Sequence, residues 1–153
     1  MTRRVVLVGI GNPLRGDDAA GCLVARRLEG TPGIIVVVSD ETPERDVPRI
    51  VDLKPDLVIL ADAVAMGRPP GTVEVMDTAA LTGYLPTTHR LPLALLADIL
   101  RRASSAEVVV LAIQPDRVAL GVDVSAGVAA AVERAAEWVR EAARETAVEA
   151  ASC

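Results

Sequence analysis

Two rhythms of apolar residues alternate along this chain. Short blocks are continuously apolar or β-branched, and between them lie segments with apolar residues three and four apart. Val5-Val6-Leu7-Val8-Gly9-Ile10 and Leu57-Val58-Ile59-Leu60 are unbroken runs, as parallel strands covered on both faces must be. The second of these stops at Ala61-Asp62. Ile34 to Val38 and Glu107 to Ile113 are rich in β-branched residues, and Thr72-Val73-Glu74-Val75 alternates, which suits an edge strand.

The helical segments are equally legible. A helix is expected from about Asp17, with Ala20, Leu23, Val24 and Leu28 on its buried face. Asp46 reads as the N-cap of a short helix that tolerates Pro48 in its first turn, turns Val47, Ile50 and Val51 inward, and ends at Lys54-Pro55-Asp56. Pro92 fits the first turn of a helix lined by Leu93, Leu96, Ala97 and Leu100. Ser125 is expected to cap the last helix, whose stripe is Val128, Val132, Ala135, Ala136 and Val139. Past about Arg144 the stripe fades, so residues 146–153 are expected to fray and residues 1–145 to form a single domain. Alternating strand and helix, without repeats or low-complexity linkers, predicts an α/β fold. The expected form is a three-layer sandwich, with a twisted, mostly parallel sheet of about five strands and helices on both faces.

Composition sharpens this in a few respects. With no Phe, one Trp (Trp138) and one Tyr (Tyr84), the core must be built from Val, Leu, Ile and Ala. The net charge of −5 and the scattered pairs Arg3-Arg4, Arg26-Arg27 and Arg101-Arg102 argue against a nucleic-acid partner. Cys22 and Cys153 form neither a metal spacing nor a disulfide framework. No apolar run is long enough for membrane insertion. The run after Arg3-Arg4 is also too short for an export signal, so the expected location is cytoplasmic with reduced thiols.

In open α/β sheets, sites form outside the carboxyl ends of the strands. The polar residues that follow strands are Asp17 and Asp18, Asp40, Asp62, His89, and Gln114 with Asp116. His89 is the sole histidine. Two carboxylates and an imidazole would make a three-ligand metal site with open positions. A single acid at a strand end, however, caps the next helix about as often as it binds a ligand.

The segment Gly9-Ile10-Gly11-Asn12-Pro13-Leu14-Arg15-Gly16-Asp17-Asp18-Ala19-Ala20-Gly21 resembles the N-terminal signature of hydrogenase maturation endopeptidases. Asp62-Ala63-Val64 with Gly67 and Pro70-Gly71-Thr72 resembles their second motif, and Thr87-Thr88-His89 their third. Ala112-Ile113-Gln114-Pro115-Asp116, and then Ser125 with Val128, resemble the later ones. The motifs occur in order and run nearly end to end.

The resemblance implies an endopeptidase that removes the C-terminal extension of a nickel-iron hydrogenase large-subunit precursor after nickel insertion. It implies that Asp18, Asp62 and His89 are both the metal-binding and the catalytic residues. The metal would be the nickel of the substrate large subunit, although another divalent ion can occupy such a site opportunistically. Ala19 stands where the family usually has Gly, and Ala65 where it often has an acid. A carboxylate, with Asp17 the candidate, would take the proton of an attacking water unless it serves as a helix cap. A Cys22–His89 dyad is a minor alternative. Two other readings compete. One is a non-catalytic nickel- or precursor-binding protein on the same fold. The other is a dinucleotide-binding module, suggested by Gly9-Ile10-Gly11 and Asp40 but lacking the third glycine, since Leu14 takes its place.

Overall fold

Side-chain alternation along the strands divides the core into two halves. The computed structural model describes residues 3–77, 81 and 91–152. Its strands are β1 (Val5–Ile10), β2 (Ile34–Asp40), β3 (Leu57–Ala63), β4 (Val73–Met76) and β5 (Glu107–Ile113). The helices are α1 (Ala20–Leu28), α2 (Val47–Asp52), α3 (Leu93–Ser104) and α4 (Ala126–Ser152). Val5 and Leu7, Ile59 and Ala61, and Leu111 and Ile113 pack with Val24 and Leu28 of α1 and with Val128, Val132, Ala135 and Val139 of α4. The residues between them, Val6 and Val8, Val58 and Leu60, and Val110, pack with Ile50 of α2 and Leu96, Ala97 and Leu100 of α3. Every residue of β1 and of β3 is buried, as their unbroken apolar runs require.

The sheet order is β2-β1-β3-β5-β4. Neighbours are parallel except β4, which runs antiparallel to β5 along one edge. The three-layer α/β expectation is met, including the edge position of the alternating strand. β1 lies between β2 and β3, so the chain leaves it toward one side of the sheet and later returns to the other. That reversal opens a crevice at the carboxyl ends of β1 and β3.

Several boundaries differ from the sequence reading. A 3-10 turn, Gly16–Ala19, precedes α1, so Asp17 and Asp18 lie before the α-helix proper. β3 continues through Ala63, which puts Asp62 within the strand and pairs it with Ala112 of β5. Asp46 precedes α2 but makes no capping bond. Its Oδ2 instead accepts the Ser39 hydroxyl at 2.7 Å, and a 3-10 turn, Pro43–Asp46, provides the entry. Pro92 is the cap residue of α3 rather than part of its first turn, and its carbonyl accepts the N–H of Leu96. Helix α4 runs to Ser152, beyond Arg144.

Close approach of α1 to the sheet depends on missing side chains. A Cβ on Gly21 would overlap the carbonyl oxygens of Ala61 and Ile10, and one on Gly9 would press against Ala25 and the Gly21 carbonyl. The first turn of α1 therefore sits directly against the ends of β1 and β3.

Candidate functional site

The loop between β1 and α1 is held from both ends by its two acids. Asp17 is fully buried, and both of its oxygens accept hydrogen bonds from a distant part of the chain. Oδ2 accepts the N–H of Asp116 at 2.8 Å, the N–H of Arg117 at 2.9 Å and the Ser125 hydroxyl at 2.8 Å, and Oδ1 accepts the N–H of Ser125 at 2.7 Å. In return, the Asp17 N–H donates to the Arg117 carbonyl. Burial alone would raise the Asp17 pKa. The N–H groups of Arg117, Ser125 and Asp116 and the Ser125 hydroxyl outweigh it and hold the pKa below the ordinary value of 3.8. Asp17 thus fastens the β1–α1 loop to the β5–α4 loop. Its acceptor capacity is spent on these donors, so it is not the base that the sequence nominated. Ser125 precedes α4 as expected, but its hydroxyl serves Asp17.

Asp18 is also fully buried. Its Oδ2 accepts the N–H of Asn12 at 2.9 Å, and the Asn12 side-chain oxygen accepts the N–H of Leu14 at 2.9 Å. This folds the signature loop back on itself. Gly11 and Gly16 adopt φ of 142° and 56°, values that side chains resist. A Cβ on Gly11 would also overlap the Asp18 carbonyl. Ala19, by contrast, has helical backbone angles (φ −73°, ψ −11°), so a side chain fits there without strain.

Asp62 lies near the end of β3 and is 6% exposed. The 3-10 turn carrying Asp18 packs against β3, which brings both acids to the carboxyl rim of adjacent strands. The loop after Asp62 is fixed by a residue whose role the sequence did not reveal. The Gln114 side-chain oxygen accepts the N–H groups of Met66 at 2.6 Å and Arg68 at 3.3 Å, while its backbone exchanges bonds with Gly71 and Thr72. His89 lies outside the described residues, as does Cys153. Among the described residues, no group of three or more His, Cys, Asp or Glu is arranged to hold a metal. The site as described therefore consists of two acids.

Cys22 is buried beneath this rim, and its thiol donates to the Gly11 carbonyl at 3.4 Å. Burial first, then the nearby charges of Asp40 and Asp62, push its pKa up to about 12. Almost none of it is thiolate at neutral pH, so it is not an activated nucleophile. Asp40 ends β2 exposed, at φ 52°, and its carbonyl accepts the N–H of Gly11. The approach to α1 is lined by the buried Asp17 and Asp18, an unsuitable charge for the pyrophosphate of a dinucleotide. None of the described helices is long and apolar enough to cross a membrane.

Comparison with known proteins agrees with this fold. The family model "Hydrogenase maturation protease" (HycI) matches residues 31–142. The hydrogenase 3 maturation protease of Escherichia coli K12 is 36% identical over 116 residues, covering 74% of each chain. The crystal structure of the [NiFe] hydrogenase maturation protease HycI from Thermococcus kodakarensis superposes with a TM-score of 0.83 at 35% identity, over 94% of both chains. The solution structure of the Escherichia coli endopeptidase HycI gives a TM-score of 0.77 at 34% identity, over 90% of this chain and 88% of that one. Sequence and fold therefore converge: this chain belongs to the hydrogenase maturation protease family and is a hydrolase.

Proposed function

We propose that this protein removes the C-terminal extension of a nickel-iron hydrogenase large-subunit precursor once nickel is in place. In this reading Asp18, Asp62 and His89 recognise the nickel. One observation carries it. The two acids nominated by the family signature, far apart in sequence, come buried to the carboxyl ends of adjacent strands. His89 precedes α3 in the sequence, and Leu96, Ala97 and Leu100 of α3 pack with Leu60, two residues before Asp62 in β3. Two carboxylates and one imidazole leave open positions around an ion that arrives already held by the precursor.

The nickel belongs to the substrate. When it is engaged by these side chains, it anchors the peptide beside the rim and can polarise the scissile carbonyl or acidify a water. The chain's own residues provide position. Asp17 and Asn12 set the loop that carries Asp18, and Gln114 sets the loop that follows Asp62. The structure assigns Asp17 to holding the loop and Cys22 to the core, which leaves Asp18, Asp62 and His89 as the groups to test.

The test compares nickel-loaded and nickel-free precursor, each incubated with wild type, Asp62→Asn or His89→Ala and followed by the size of the large subunit on a gel. Wild type is expected to trim only the loaded precursor, and neither variant to trim it. Normal trimming by His89→Ala would refute the ligand assignment. Normal trimming of nickel-free precursor would refute nickel as the check.

A further inference from the structure

The ladder between β3 and β5 does not stop where β3 ends. Asp62 and Ala63 pair with Ala112 and Ile113, and the N–H of Val64 still donates to the Ile113 carbonyl at 3.0 Å. From there a side chain takes over from the backbone. The Gln114 side-chain oxygen plays the part of a further ladder carbonyl, accepting the N–H groups of Met66 and Arg68. Its Nε2 donates to the Pro115 carbonyl at 3.2 Å, which fixes the orientation of the amide. The far end of the same loop is closed by the Gln114 backbone, which accepts from Gly71 and donates to Thr72, both at 2.9 Å. Arg134 of α4 adds a bond from its Nη2 to the Gly71 carbonyl at 2.6 Å.

The residues that follow Gln114 reach the other acid. The N–H groups of Asp116 and Arg117 are two of the donors that hold the Asp17 carboxylate, and Asp17 immediately precedes Asp18. The stretch Gln114-Pro115-Asp116-Arg117 therefore grips the segment after Asp62 with its first residue and the turn carrying Asp18 with its last two. Carboxylates that engage one ion must be held within about 0.5 Å of the productive geometry, so a shared brace on both acid-bearing segments bears directly on metal engagement.

We propose that Gln114 is a positioning residue for nickel engagement, and that the stretch it begins keeps Asp18 and Asp62 in mutual register. The inference rests on the reading that these acids engage the precursor's nickel. It adds that the nickel-dependent part of recognition is set by a neutral amide that acts through the loop after Asp62. A merely structural role would lower stability and leave the preference for nickel-loaded precursor intact.

The experiment uses the full chain and purified precursor prepared with and without nickel. Binding is measured by biolayer interferometry, and cleavage of the loaded form by initial rates. Gln114→Met keeps the length of the side chain but removes its carbonyl. Gln114→Glu keeps an acceptor oxygen and loses only the Nε2 donor. Val139→Ala is the stability control, a buried truncation about 20 Å along the α4 axis from the first residue of that helix. Wild type is expected to bind loaded precursor more tightly than nickel-free precursor. Gln114→Met should reduce that preference, and kcat/KM on the loaded form, about tenfold, with affinity for nickel-free precursor unchanged. Gln114→Glu should retain the larger part of both. Val139→Ala should lower the urea midpoint and keep the wild-type preference and kcat/KM. The positioning role is overturned if Gln114→Met, with an unaltered circular dichroism spectrum, keeps the wild-type preference. It is also overturned if Gln114→Glu falls as far as Gln114→Met, or if Val139→Ala loses the preference too. A wild type that binds loaded and nickel-free precursor equally would instead overturn the nickel reading on which the inference rests.

Discussion

Replacing Asp17 by Asn changes one atom, and the resulting cost follows from the geometry. Oδ2 receives three donors and Oδ1 one, all at 2.7–2.9 Å, around a carboxylate with no solvent exposure. If the carboxamide places its oxygen at the Oδ2 position, three bonds survive and the NH2 group faces the Ser125 N–H. The opposite orientation loses three. The cheaper arrangement still leaves one buried donor unpaired and removes the charge assistance of the others, a loss of about 2–3 kcal/mol. Asp17→Ala loses all four bonds. Water can reach the exposed Asp116 and Arg117 segment but not Ser125, so a cost of about 4 kcal/mol is expected. Urea unfolding read by circular dichroism measures both, as a lowered midpoint with unchanged slope.

The pH dependence adds a second readout. The folded-state pKa of Asp17 lies below its ordinary value of 3.8. Its stabilisation is therefore complete above the unfolded pKa and fades as pH falls through the folded one. The gap between wild type and Asp17→Asn should be constant at neutral pH and shrink below about pH 4. An Asn variant within about 0.5 kcal/mol of wild type at pH 7 would refute the clamp.

Other consequences are equally direct. Gly21→Ala sets a methyl group against two backbone carbonyls and should destabilise by about 3 kcal/mol or more in the same unfolding assay. Gln114→Ala frees the N–H groups of Met66 and Arg68, and should cost about 1–2 kcal/mol and speed amide exchange in the loop after Asp62. With its pKa near 12, Cys22 should resist iodoacetamide in the native protein at about pH 8 and react only on unfolding, as read by mass spectrometry of its peptide. Cys22→Ala should retain precursor processing, because the thiol is a core group and not a nucleophile.

The strands were legible because burial on both faces leaves no room for polar residues in β1 or β3. The edge strand announced itself by alternation, and α4 by its stripe of Val and Ala. Asp18 and Asp62 were legible as strand-end acids, and the family signature singled them out. The clamp was not. Asp17 and its donors are separated by 99 to 108 positions, and nothing local distinguishes a buried acceptor from a helix cap. Gln114 was picked out as a strand-end polar residue, but its role was hidden for the same reason, since its partners lie 46 and 48 positions away. Asp46 stands at the N-cap position of α2 as read, but makes no capping bond because a hydroxyl from β2 takes its carboxylate. Ala19 has helical backbone angles and so accommodates a side chain, whereas Gly11, Gly16 and Gly21 carry the turns and the close approaches.

The central claim is that side chains of this protein bind the nickel carried by the precursor. Nickel-edge X-ray absorption, recorded on loaded precursor alone and in complex with the protein, tests it most directly. On complex formation with wild type, new oxygen or nitrogen neighbours should enter the nickel shell, and one nitrogen should be missing with His89→Ala. A nickel shell identical in free and bound precursor would contradict the account.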